Sequence, residues 1–113
     1  MKRVISLIGI LMACTAAAAA GEGGQVDGKA LYLKECGICH LPGEMATNIL
    51  SRRLGKERAV LADRSDLTAD FIIGVARHGQ LMMPRFSRVE VSDPELDAIA
   101  GYLTDPARTG GQK

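Results

Sequence analysis

Leu96, Ile99, Ala100 and Leu103 recur at i, i+3, i+4 and i+7, with Asp97 and Gly101 among the positions between them. That spacing lines one face of an α-helix. Just before it, Ser92-Asp-Pro-Glu95 reads as a capping box, and Val91 and Leu96 stand where a hydrophobic staple would join. Pro106 lies just beyond the predicted end. A second stripe, Phe71, Ile72 and Val75, falls within LTADFIIGVARHG (67–79). Thr68 is suited to cap that helix, Asp70 to its first turn and Gly79 to a left-handed stop. A third helix is predicted to begin after Asp27, a good N-cap, with Val26 and Leu31 at staple spacing, and to run to Glu35 or Cys36. Between these, NILSRRLGKERAVLADRS (48–65) shows no clear period and is expected as ordered loop with a short helix around 56–62. No stretch alternates convincingly as a strand, and no internal repeat is visible. The expected fold class is all-α, with three main helices.

The start of the chain follows a different pattern. Lys2 and Arg3 precede the apolar run VISLIGILMAC (4–14), and the alanines at 16–20 offer small-residue cleavage sites. Residues 1–20 therefore read as an export signal cut near Ala20. Two other readings stay open: Cys14 in LMAC as a lipidated residue, and the span 4–20 as an uncleaved membrane helix at the short end of the usual length. Residues 21–25 are Gly-rich and expected to be a flexible linker. The folded domain is expected over 26–105 and a flexible tail over 106–113.

Composition matters chiefly through that cleavage. The whole chain of 113 residues carries a formal net charge of +1. Losing Lys2 and Arg3 leaves twelve basic against thirteen acidic residues, which excludes a generally basic nucleic-acid binder. Losing Cys14 leaves Cys36 and Cys39, too few for a disulfide framework or a four-cysteine zinc site. About 93 residues remain, without Trp and with Tyr32, Phe71, Phe86 and Tyr102 as the aromatics. A domain of that size buries a limited core and often needs a staple.

The candidate chemistry lies in YLKECGICHLPGE (32–44), where Cys36-Gly-Ile-Cys39-His40 forms a C-x-x-C-H. A thioredoxin-like redox pair would follow a strand in a βαβ unit, but this motif follows a helical pattern. Structural zinc usually takes four ligands, and beyond these three the mature chain offers only His78 and carboxylates. A simple disulfide at such short separation is sterically poor and leaves His40 without a role. Covalent haem attachment uses every part: two thiols bond the haem vinyl groups, and the adjacent histidine becomes the proximal iron ligand. Haem also supplies the missing staple, a large apolar disc tethered at two points.

A second axial ligand must come from His78, Met82 or Met83, since Met45 is too near His40 in sequence to reach the opposite haem face. Met83 precedes Pro84, which biases it towards an extended conformation. His78, at a predicted helix C-terminus, reads equally as a surface residue favoured by the helix dipole, and Met82 as packing. The cluster Arg52, Arg53, Lys56 and Arg58 reads either as a solvated face or as a docking rim for an acidic partner.

C-x-x-C-H at the first helix, Met83-Pro-Arg-Phe86 after the second and ELDAIAGYL (95–103) at the last together resemble class I c-type cytochromes over residues 26–104. The resemblance implies one covalent haem c bound through Cys36 and Cys39, with His40 and Met83 as axial ligands. It also implies that Gly28 and Tyr32 cross the last helix near Ile99 and Tyr102. The stretch MPRFSRVEVSDPELDAIAGYL is further similar to cytochrome subunits of flavocytochromes such as 4-cresol dehydrogenase. Two functions are expected from this: a periplasmic single-electron carrier serving redox proteins such as a dehydrogenase donor and an oxidase or cytochrome acceptor, or a permanent haem subunit beside a flavoprotein. Neither reading makes this chain an enzyme in its own right. A hydrogen bond from the second ring nitrogen of His40 to a carbonyl of Leu41–Gly43 is also expected.

Overall fold

The computed structural model describes residues 26–109, which are helical with no strand among them. The export signal read in 1–20, the linker at 21–25 and the end of the tail lie outside the described residues. The first helical run starts where Asp27 predicts. The Asp27 carboxylate accepts hydrogen bonds from the backbone N–H of Lys29 and Ala30 at 3.0 and 3.1 Å, opening helix α1, Gly28–Leu31. The chain then widens into a π-helical turn, Tyr32–Cys36, closed by the Gly37 N–H on the Tyr32 carbonyl, and continues as α2, Gly37–His40. The run thus extends beyond the predicted stop at Glu35 or Cys36, and the whole C-x-x-C-H is wound into its last turns.

The segment expected as loop contains the main departure from the sequence pattern. Met45–Leu54 forms a ten-residue helix, α3, followed by short 3-10 turns at Lys56–Arg58 and Leu61–Asp63. Its N-cap, Glu44, makes no side-chain capping bond, and Met45 and Leu54 stay exposed, so neither a start signal nor a clean apolar stripe marks it. The next two helices follow their signals. Thr68 Oγ1 accepts from the Phe71 N–H at 3.2 Å and opens α4, Ala69–His78. Gly79 ends it at φ 73°; a Cβ there would lie 2.8 Å from the Met83 carbonyl oxygen, so the turn requires glycine. Ser92 and Glu95 form the predicted capping box of α5, Asp93–Thr104, and Val91 and Leu96 are both buried in the core. Pro106–Thr109, read from the sequence as the start of a flexible tail, instead forms one more short helix, α6, whose Arg108 donates Nε to the Tyr102 carbonyl at 2.8 Å and Nη2 to that of Leu103.

Helix α5 organises the core by packing against both α1 and α4. Leu96, Ile99 and Leu103 face Tyr32, Ala76 and Val91 in one buried cluster. Each such large apolar side chain contributes roughly 1.5–3 kcal/mol on burial. The α1–α5 crossing is close because Gly28 has no side chain. A Cβ on it would run into the Ala98 carbonyl, with the carbonyl carbon at 2.7 Å. One turn on, the Tyr32 and Tyr102 rings lie 5.6 Å apart and tilted by 41°. The crossing read from the resemblance is the one observed.

Candidate functional site

The C-x-x-C-H stands at the junction of the widened turn and α2. Cys36 and Cys39 are unpaired and partly buried, and Cys36 packs against the core cluster. Burial, then the neighbouring Glu35 and Cys39 charges, push the Cys36 thiol up to about 11. Burial likewise lowers the His40 imidazole below its ordinary value, so the ring is neutral at physiological pH and able to act as a ligand. The segment is fixed from inside by Tyr32, whose hydroxyl donates to the His40 carbonyl oxygen at 3.2 Å. Burial is also the main reason that hydroxyl is pushed up to about 12, which keeps it a proton donor.

One expectation is not met. His40 Nδ1 is buried with no hydrogen-bond partner, so no bond to the turn after the motif orients the ring. Two of that turn's carbonyls are already engaged: Leu41 accepts from the Glu44 N–H at 3.0 Å, and Gly43 from Asn48 Nδ2 at 2.9 Å. A buried imidazole nitrogen without a partner is costly in a purely structural histidine. The chain's own hydrogen bonds therefore do not fix the orientation of this ring. Among the described residues, no cluster of three or more His, Cys, Asp and Glu side chains is arranged to hold a metal ion by itself. A haem, which brings its own four nitrogens, suits this donor set better than a bare cation.

The three candidates for the second axial position differ in placement. His78 is exposed in the last turn of α4, with Nδ1 2.8 Å from the Gly74 carbonyl. Met82 is 71% exposed. Met83 is partly buried and packs against the core cluster, as do Ile72, Ile73 and Phe86. A tight turn makes this difference: Gln80 and Met83 exchange backbone hydrogen bonds of 3.1 and 2.9 Å, which turns Met83 inward and leaves Leu81 and Met82 at the tip. Leu81 takes φ 56° there, a left-handed conformation uncommon for a non-glycine residue.

The basic cluster is partly neutralised. Arg58 pairs with Asp66 at 2.6 Å, and Arg64, which the sequence reading did not include, holds the same carboxylate at 2.8 Å. Arg52, Arg53 and Lys56 remain exposed. A further feature carries no sequence signal: the Arg77 guanidinium, which gathers acceptors from the loop beyond Met83. Its partners lie nine to sixteen residues away, and three of them are backbone carbonyls, invisible to any motif.

Residues 24–103 match the family model described as cytochrome c oxidase, cbb3-type, subunit III. No curated protein matches the chain. Among solved structures it is similar to a chain of p-cresol methylhydroxylase crystallised with substrate bound, at 33% identity and a TM-score of 0.54, covering 72% of this chain and 93% of that one. A second crystal structure of p-cresol methylhydroxylase gives the same identity and TM-score, with 94% of its chain covered. With the helical fold, the C-x-x-C-H and these likenesses together, the chain belongs to the cytochrome c family described as cytochrome c oxidase, cbb3-type, subunit III, and is a haem protein that transfers electrons.

Proposed function

We propose that the chain is a periplasmic one-electron carrier with a single haem c. Cys36 and Cys39 form the thioethers, and His40 and Met83 are the axial ligands. The observation that carries the ligand reading is the partly buried His40 imidazole, kept neutral by burial, in the same helical turns as two unpaired thiols. A bound haem supplies one-electron exchange between Fe(II) and Fe(III). The chain's own contribution is to present two uncharged ligands, nitrogen from His40 and the soft thioether of Met83, which favours the reduced state. Supplying both axial ligands from the chain leaves no position for a small substrate, in keeping with transfer rather than catalysis. The core around Tyr32, Ile99 and Leu103 excludes water from one side of the motif.

Among the described residues no helix is long and apolar enough to cross a membrane. The periplasmic assignment rests on the export pattern of residues 1–20. Substitution tests the ligands: Met83→Ala abolishes the sulfur-to-iron charge-transfer band of the ferric protein, while Met82→Ala keeps it. Loss of the band in Met82→Ala alone would overturn the assignment.

The likeness to p-cresol methylhydroxylase favours a second reading, in which the carrier is a permanent subunit receiving electrons from a flavoprotein dehydrogenase. Purification from native cells separates the two readings. A stoichiometric flavin-containing partner that survives gel filtration supports the subunit; a lone coloured protein supports the diffusible carrier.

A further inference from the structure

Arg77 lies in the last turn of α4, and its side chain is only 12% exposed. Its Nη1 donates to the carbonyl oxygens of Phe86 and Ser87 at 3.2 Å each and of Val91 at 2.8 Å. Its Nη2 pairs with Asp93 at 2.7 Å, in the first turn of α5. Beside this fork, the Phe86 N–H donates to the Ala76 carbonyl at 2.8 Å. The acceptors span the segment that joins Met83 to α5. Met83 is therefore held between two fixed points: the Gln80–Met83 turn on one side, and the Arg77 fork with the Phe86–Ala76 bond on the other.

Burying a guanidinium is costly unless it is paired and hydrogen-bonded. Nε finds no partner, so all the compensation comes from the Nη side, that is, from the loop and Asp93. Hydrogen bonds to a charged donor are stronger than neutral ones, and a planar fork makes several in a fixed geometry where an ammonium does not. Outside the fork, this loop is bonded to the flanking helices through the Phe86–Ala76 bond and the exposed Arg88–Asp93 pair at 2.8 Å, so the partly buried Arg77 charge is the principal tie between the loop and the end of α4.

We propose that Arg77 is a positioning residue for Met83: by clamping residues 86–91 to the end of α4 and to Asp93, it sets how often the methionine leaves its place as an axial ligand. The inference rests on Met83 being that ligand. The clamp acts by local opening of the loop, distinct from unfolding of the α1–α5 crossing.

Cyanide added to the ferric holoprotein tests this, because it binds only when Met83 is displaced. Three variants are compared with the natural protein: Arg77→Lys, Asp93→Asn, and Gly28→Ala as a control that weakens the helix crossing away from the loop. Rates are taken well below the unfolding transition, with helix content followed by circular dichroism. Losing one charged hydrogen bond of the fork accelerates cyanide binding by about tenfold or more in Arg77→Lys, with a smaller rise in Asp93→Asn. Gly28→Ala lowers the melting temperature and leaves the rate within about twofold of the natural protein's. Unchanged rates in both loop variants overturn the clamp, as does an equal acceleration in Gly28→Ala. Should Arg77→Lys not fold, Asp93→Asn is set against Arg88→Ala, which removes only the other arginine on Asp93, and against Gly28→Ala; an acceleration in Asp93→Asn no larger than in Arg88→Ala overturns the clamp. The sulfur-to-iron band separates this inference from its premise. A band that survives Met83→Ala sinks the ligand assignment and the clamp together. A band lost in Met83→Ala, with cyanide rates unmoved by the loop variants, sinks the clamp only.

Discussion

The Tyr32 hydroxyl donates to the carbonyl oxygen of His40, eight positions on and beyond both cysteines, at 3.2 Å. The same ring is 1% exposed and packs on Tyr102, so one side chain joins the α1–α5 crossing to the end of the C-x-x-C-H. Core and site are thereby a single unit.

Tyr32→Phe keeps the ring and removes the hydroxyl, at a cost of about 1 kcal/mol, whereas Tyr32→Ala also opens a cavity and costs about 3–5 kcal/mol. In a domain of this size each kcal/mol lowers the melting temperature by roughly 4–8 °C. Thermal unfolding of the holoprotein checks the ratio. Equal losses in the two variants would mean that the bond, not the packing, does most of the holding.

Two glycines in helices should respond oppositely to alanine. At Gly28 the new methyl meets the Ala98 carbonyl, and such overpacking costs roughly 1–3 kcal/mol. At Gly74 a Cβ meets nothing within 4 Å, so Ala gains about 0.5–1 kcal/mol of helix propensity. Urea unfolding midpoints of the pair give the test, and a loss at Gly74 would contradict the helix packing described.

Acid should destabilise the fold in a definite direction. Asp66 is held below the usual carboxylate range chiefly by Arg64 and then Arg58, and Asp93 chiefly by Arg88 and then Arg77. The Ser92 hydroxyl and N–H do the same for Glu95, and the Ser87 N–H and hydroxyl for Glu90. With folded values depressed, the unfolded chain binds more protons. The contribution is fully present above the unfolded carboxylate range, at about pH 4, and is lost as pH falls through the lower folded values. Denaturant midpoints measured downward from neutral pH should fall, and Glu95→Gln should flatten the decline. Because the groups are exposed, added salt should shrink the effect.

Legibility followed locality. Asp27, Thr68, Gly79 and the Ser92–Glu95 box announce helix ends through bonds to residues a few positions away, and those ends lie where the sequence places them. Helix α3 lacks such marks: Glu44 offers no capping bond, and its apolar side chains are half-buried or exposed, none of them in the core cluster. The C-x-x-C-H and Met83-Pro-Arg-Phe86 stand out in the sequence because each sets particular residue types at short spacing. The Arg77 fork is not, because its partners are carbonyls brought near by the fold. The missing His40 hydrogen bond was also beyond sequence reading, since it depends on how the ring is placed against the backbone of the following turn.

The most direct test is a denaturing mass spectrum of the protein made in a host able to attach c-type haem. The account predicts a mass above that of the processed chain by one haem, retained after unfolding and acid-acetone extraction, and lost in the Cys36→Ala, Cys39→Ala double variant. A spectrum showing the bare polypeptide mass, or haem that acid-acetone removes, would contradict it.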